Sequence, residues 1–324
     1  MAASADPAPP AASLGPGGAW RAALLAEARA ALAPLDTLLF GVGAQKAGTT
    51  WLHAQLARRP DVAFARKEFA YWTAVRSPYI PFDSLPLGPL VPLLGRHAEG
   101  GAFRLLERLG PRPRLFAESW RALLAPPGDH RAYARSLMVG ARGARLSGDV
   151  TPAYALLPRA ALSEMAALHD NARFVFIMRD PVDRLWSGVR HRMRRWARRP
   201  ETRGEALRAF RLALEDPLDA DRLRSDYARS LGELGAAVPP GRLLCLFYET
   251  LFTPATAARL GGFLGLPDFR PDPDEVLLRG AEDWEAPGPE DRARAARALA
   301  PAYAAVLARF GEEVPARWRR SAGA

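Results

Sequence analysis

The sequence predicts an α/β protein in three layers, a central parallel sheet flanked by helices. Three observations carry that expectation. Apolar runs of strand length, Leu38-Leu39-Phe40-Gly41-Val42, Phe174-Val175-Phe176-Ile177-Met178 and Leu243 to Tyr248, alternate with stretches of helical period. Unbroken apolar runs of this kind suit strands buried on both faces. The first run opens into Gly43-Ala44-Gln45-Lys46-Ala47-Gly48-Thr49-Thr50-Trp51 and the second into Arg179-Asp180-Pro181-Val182-Asp183-Arg184-Leu185-Trp186-Ser187. Both read as strand-to-helix turns, and the glycines of the first make the fold P-loop-like.

Taken in order, residues 1–19 are rich in Ala, Pro and Gly and read as a disordered tail before a single domain over 20–324. Helices are expected near 20–32, 49–58, 158–168 and 181–198, with a further helical piece around Asp129 to Met138 and one helix from Arg292 to Phe310. Asp61 to Ala65 reads as a short second strand, which closes a βαβ unit and ends at Arg66-Lys67-Glu68. Residues 76–145 carry many prolines, glycines and arginines and read as an insertion on the acceptor side of the crevice. A single cysteine, Cys245, excludes an intrachain disulfide. The tail lacks a basic start and a long apolar run, so neither a signal peptide nor a membrane span is expected, and residence in the cytoplasm follows.

The first turn has the chemistry of an anion cradle. Glycines let the backbone curl, helix-start N–H groups and the Thr49 and Thr50 hydroxyls donate, and Lys46 adds a full charge. The nucleoside-triphosphate version of this loop places its lysine after the second glycine. Here Lys46 precedes Gly48, which disfavours an ATP or GTP site. In an open parallel sheet, ligands collect at the carboxyl ends of strands, so Arg179 can face the same crevice and grip a phosphate with two N–H groups.

Together the two turns resemble the sulfotransferases that use 3′-phosphoadenosine 5′-phosphosulfate, closer to the bacterial and Golgi-type glycan enzymes than to the cytosolic phenol enzymes. The likeness runs from about Thr37 to Leu266. It implies that Gln45, Lys46, Ala47, Gly48, Thr49, Thr50 and Trp51 hold the 5′-phosphosulfate and that Arg179 and Ser187 hold the 3′-phosphate. Arg279 falls where relatives wrap a loop over the donor. Lys67-Glu68-Phe69-Ala70-Tyr71-Trp72 resembles the family's Lys-Glu followed by aromatics, with Glu68 as general base; Ala70 stands where a histidine is often found. Gly148-Asp149-Val150-Thr151-Pro152-Ala153-Tyr154 resembles the acidic, Thr-Pro and aromatic segment of the pocket. The resemblance thus implies Glu68 and Lys46 as catalytic residues, and Lys67, Tyr71, Trp72, Asp149, Thr151 and Tyr154 as acceptor-binding residues. No metal is required, and the five histidines are dispersed.

Two other readings stay open. Phe174 to Asp180 also reads as a strand ending in a metal-binding aspartate, as in a nucleotide phosphotransferase. With net charge +10, the helical arginines Arg190, Arg194, Arg195 and Arg198 raise a non-enzymatic anion- or nucleic-acid-binding module, although no nucleic-acid motif accompanies them. A positive rim that steers an anionic donor, or an acidic acceptor, accounts for the same residues. The acceptor, a glycan, lipid or metabolite with a hydroxyl or amine, is left open.

Overall fold

Five strands form one parallel sheet in a computed structural model that describes residues 16–77, 110–196, 203–272 and 286–323. They are β1 (Thr37–Gly43), β2 (Val62–Ala63), β3 (Leu146–Val150), β4 (Ala172–Met178) and β5 (Leu243–Phe247), in the order β2-β3-β1-β4-β5. Every residue of β1 is buried, as an unbroken apolar run at the centre of a two-sided sheet requires. Phe40 of β1 and Phe174 of β4 meet with ring centroids 5.1 Å apart.

Helices flank the sheet. α1 (Pro16–Leu32) precedes it, α2 (Thr49–Ala57) leaves β1 and α3 (Tyr71–Arg76) follows β2. α4 (Pro111–Leu124) and α5 (Arg131–Leu137) lead into β3, and α6 (Arg159–Ala167) joins β3 to β4. After β4 come α7 (Pro181–Trp196), α8 (Arg203–Glu215), α9 (Ala220–Leu223) and α10 (Tyr227–Ala237). β5 is followed by α11 (Pro254–Leu264), α12 (Pro289–Ala298), α13 (Ala300–Phe310) and α14 (Ala316–Ala322). Among the described residues no helix is long and apolar enough to cross a membrane.

The α/β class and the parallel sheet are as the alternation predicts, and four elements differ from the expectation. α1 begins at Pro16, inside the segment read as tail; residues 1–15 of that segment lie outside the described residues. β1, α2 and β2 do form a crossover, but β3 lies between the two strands and leaves β2 a two-residue edge paired only at Val62 with Leu146 and Ala63 with Ser147. The helix expected from Arg292 to Phe310 is two helices, broken at Leu299 (φ −104°, ψ 12°). Pro301 causes the break: it lacks an N–H, and its ring would strike the carbonyl four residues back in a continuous helix. α4 was hidden among prolines, yet Pro111 and Pro113 occupy its first turn, where a missing N–H costs nothing.

The sheet sets the site through its topology. The chain leaves β1 towards β2 and leaves β4 towards β5, in opposite directions, so the two adjacent strands make a switch point whose crevice opens at their carboxyl ends. Close strand contact there depends on Gly148, whose added Cβ would lie 2.0 Å from the Leu39 carbonyl oxygen. Gly148→Ala is expected to force β1 and β3 apart and to cost about 3 kcal/mol or more, read as a lowered midpoint in urea unfolding. An unchanged midpoint would show that the strands separate freely.

Candidate functional site

The loop between β1 and α2 is pinned by the Ala44 N–H, which donates to the Ile177 carbonyl, and by the Ala47 N–H, which donates to the Ala44 carbonyl. Gly48 takes the left-handed conformation (φ 97°) at the start of α2, and no side chain caps that helix. Lys46 is also left-handed (φ 69°), which lifts it onto the crest of the turn. Gln45, Lys46 and Thr50 keep their side chains partly accessible, whereas Ala47 and Thr49 are buried and the Ala47 N–H donates to the Ala44 carbonyl at 3.2 Å. The Trp51 side chain turns away from the loop. Its indole is 4% exposed, packs edge-on against Phe252 at 5.1 Å and donates to the Asp272 carbonyl at 3.1 Å, so only its backbone faces the loop.

Arg179 leaves β4 beside this loop. Its guanidinium lies 4.8 Å above the Tyr248 ring and donates from Nη1 to the Lys46 carbonyl oxygen at 3.4 Å. The two turns singled out in the sequence are therefore in contact. Burial lowers the pKa of Lys46, and the charges of Arg194, Arg179, Arg190 and Arg184 lower it further. Arg190 is depressed by burial and then by Arg194 and Arg179. An ammonium held among guanidinium groups calls for a polyanion. Ser187, 7% exposed, lies on α7 between Arg184 and Arg190. Arg198 and Arg279 lie outside the described residues.

The second turn is held by residues that the sequence reading left out of the site. The Tyr227 hydroxyl takes a hydrogen bond from the Arg179 N–H (3.2 Å) and donates to the Arg179 carbonyl (2.8 Å). Glu249 Oε1 accepts from the Asp180 N–H at 2.9 Å. Asp180 itself caps α7, accepting at Oδ1 from the N–H groups of Val182 and Asp183 and at Oδ2 from the Tyr303 hydroxyl. Both oxygens of this fully buried carboxylate are thus engaged, Oδ1 by the helix start and Oδ2 by Tyr303, which opposes the metal-ligand reading of Asp180. Tyr303 comes from α13, a segment whose sequence promises only core packing.

Glu68 lies beyond the edge strand β2. It is exposed, and Oε1 accepts from Lys67 Nζ at 2.8 Å; the same ammonium donates to Thr50 Oγ1 at 2.9 Å, which ties Glu68 to the first loop. Asp149, at the end of β3, fixes the backbone just after it. Oδ1 accepts from the Phe69 N–H (3.3 Å) and the Thr151 hydroxyl (2.6 Å), while Thr151 Oγ1 accepts from the Ala70 N–H (3.3 Å). Oδ2 accepts from the Tyr133 and Tyr154 hydroxyls. Burial raises the Asp149 pKa to about 6 against the pull of these hydrogen bonds. His53, packed on Phe64 at 4.7 Å, is pushed down to about 4 by burial and then by the Lys67 charge, and is neutral near pH 7.

This network encloses four of the residues for which the resemblance implies acceptor contacts. Trp72, Asp149 and Tyr154 are fully buried and Thr151 is 2% exposed. The polar groups of Asp149, Thr151 and Tyr154 bind one another and the backbone N–H groups of Phe69, Ala70 and Trp72, so in this structure they brace the surface from behind, and the Trp72 indole is enclosed beside them. Tyr71 lines a cavity with one ring face while its hydroxyl bonds His130 Nδ1 at 2.9 Å. Tyr133, which supplies a second hydroxyl to Asp149, carried no motif in the sequence. Among the described residues no group of three or more His, Cys, Asp or Glu is placed to hold a metal ion.

Comparison with known proteins bears on the whole arrangement. The model of the family described as "Sulfotransferase family" matches residues 96–271, more than half of the chain, including β3 to β5 and the Arg179–Ser187 turn. No curated protein matches. Among solved structures, the chain is similar to a sulfotransferase from Alicyclobacillus acidocaldarius, at 21% identity over 87% of this chain and 98% of that one, with a TM-score of 0.56. It also matches the sulfotransferase domain of the Synechococcus olefin synthase at 24% identity, covering 71% of this chain and 73% of that one with a TM-score of 0.46. A third match is the sulfotransferase domain from the curacin biosynthetic pathway, at 17% identity over 76% of this chain and 81% of that one, with a TM-score of 0.45.

Proposed function

Because this chain belongs to the sulfotransferase family, we propose that it transfers a sulfuryl group from 3′-phosphoadenosine 5′-phosphosulfate to a hydroxyl or amine of an acceptor. The observation that carries the reading is the contact between Arg179 Nη1 and the Lys46 carbonyl, which joins two anion-seeking turns at one switch point. The first turn, with the Gln45 and Lys46 side chains on its crest and N–H groups at Gly48, Thr49, Thr50 and Trp51 where α2 starts, takes the 5′-phosphosulfate. Arg179 and Ser187 take the 3′-phosphate, and Arg190 and Arg194 add to the positive field around Lys46.

The acceptor oxygen or nitrogen forms a bond to sulfur as the bond from sulfur to the phosphate oxygen breaks. The electron pair leaves on that phosphate oxygen, beside Lys46, and the acceptor proton passes to Glu68. In-line geometry is the main demand, as in phosphoryl transfer. The Lys67 bridge between Thr50 and Glu68 sets the spacing between donor loop and base. The scheme needs no metal ion.

Calorimetry with 3′-phosphoadenosine 5′-phosphate, without magnesium, tests the donor assignment. Tight binding that depends on the 3′-phosphate supports it; preference for magnesium-ATP would replace it with a phosphotransferase. Arg179→Ala is expected to weaken this ligand by about 1.5–3 kcal/mol, the worth of a charged hydrogen bond, while leaving adenosine 5′-phosphate affinity unchanged. Equal losses for both nucleotides would remove Arg179 from the 3′-phosphate.

A further inference from the structure

A cavity of about 240 Å³ opens beside Phe69, the residue after Glu68. Its walls are mainly apolar, formed by Phe69, Tyr71, Leu115, Phe116, Trp120 and Tyr133. Arg66 and Arg112, both exposed, stand among the lining residues, and the Arg66 guanidinium lies 5.6 Å from the Phe69 ring centroid. Ser119 also lines the cavity, with an enclosed hydroxyl that has no hydrogen-bond partner among the described residues. A buried hydroxyl without a partner is costly, so this one marks a place for a polar ligand atom.

The cavity shares its bracing with the segment that carries Glu68. Asp149 accepts from the Phe69 N–H with one oxygen and from the Tyr133 hydroxyl with the other, so a single carboxylate holds two walls in register. Glu68 is bonded through Lys67 to the first loop on one side and adjoins Phe69 on the other. α4 and α5, which supply most of the remaining wall, come from the segment whose sequence suggested an acceptor-side insertion.

We infer that this cavity seats the acceptor, and that the acceptor is a small aromatic alcohol carrying an anionic group. The inference rests on the sulfotransferase reading above and narrows its substrate class. The volume equals the share of about eight liquid waters at ~30 Å³ each, room for one substituted ring. A sugar would bring hydroxyls to walls that offer few partners, whereas an aromatic ring is matched by Phe69, Tyr71, Trp120 and Tyr133. Arg66 and Arg112 are placed to pair with a carboxylate or similar anion. Of the glycan, lipid and metabolite acceptors left open by the sequence, this selects a small metabolite.

Three probes separate the possibilities: 4-(hydroxymethyl)benzoate, its neutral counterpart 4-methylbenzyl alcohol, and methyl glucoside. Each is titrated into the complex with 3′-phosphoadenosine 5′-phosphate, and each is assayed for sulfation with the activated donor. The benzoate is expected to bind at least tenfold tighter than the glucoside. The double variant Arg66→Ala, Arg112→Ala should abolish its advantage over the neutral alcohol while donor affinity stays unchanged. Leu115→Trp, which narrows the cavity at a half-buried position, should raise KM for both aromatic probes; a circular dichroism melt of each variant confirms folding. With donor binding intact, preference for the glucoside, or aromatic affinities that none of these substitutions moves, would overturn the inference. Absence of donor binding would instead overturn the sulfotransferase reading itself.

Discussion

Lys46→Ala is expected to lower turnover by about 10²–10³-fold, the usual effect of removing one group that stabilises charge developing in a transition state. The residue stands at the crest of the first loop at φ 69°, next to the Arg179 contact. Its pKa is lowered by burial and by four surrounding arginines, so its charged form is held at a cost that an anionic ligand offsets. In the proposed reaction that anion gains charge on its leaving phosphate oxygen, and the lysine is worth most at that moment. The loss should therefore fall on kcat, with a smaller change in affinity for 3′-phosphoadenosine 5′-phosphate, because Arg179 and Ser187 still hold its other end. Single-turnover rates and calorimetry separate the two quantities. A variant that weakens binding but transfers sulfate normally once saturated would move Lys46 from the leaving group to plain donor capture.

Glu68→Gln should abolish most transfer, by about 10²–10⁴-fold, while leaving donor binding near normal. The amide retains an oxygen to accept from Lys67 Nζ, so the bridge from Glu68 through Lys67 to Thr50 has a route to persist. What disappears is the ability to take a proton. The geometry makes this a demanding test, since an exposed Lys-Glu pair beside a loop is by itself a common solvated contact of little energetic consequence. Turnover close to that of the parent protein would return the pair to that ordinary role and leave the acceptor to lose its proton to water.

The two turns were legible because their information is local. A central strand must be apolar on both faces, and a tight turn that exposes N–H groups needs glycines, so Leu38 to Thr50 and Phe174 to Ser187 announce themselves in a few residues each. Glu68 is singled out by the family resemblance alone, since neither its period nor its neighbours distinguish it. The bracing residues were harder. Tyr227, Glu249 and Tyr303 all serve the Arg179–Asp180 turn from segments that follow it at long separation, and each looks in sequence like an ordinary helix or strand-end residue. Tyr133 is similar: only its hydrogen bond to Asp149 and its place in the cavity wall distinguish it. The resemblance implies ligand roles for Trp51 and Trp72, and only the fold shows that the Trp51 indole is committed to Phe252 and Asp272 and that Trp72 is entirely enclosed.

The sequence by itself determined the α/β class, the parallel sheet and the two strand-to-helix turns, because these follow from hydrophobic period and backbone chemistry within short windows. Only the tertiary structure decided that β3 lies between β1 and β2, that Arg179 meets Lys46 across the switch point, and that Asp149 works from behind the surface while Phe69, Tyr71 and Tyr133 line a cavity. Those outcomes depend on which distant segments share the core, and burial, which sets both the partners and the pKa values, is a property of the packed chain as a whole.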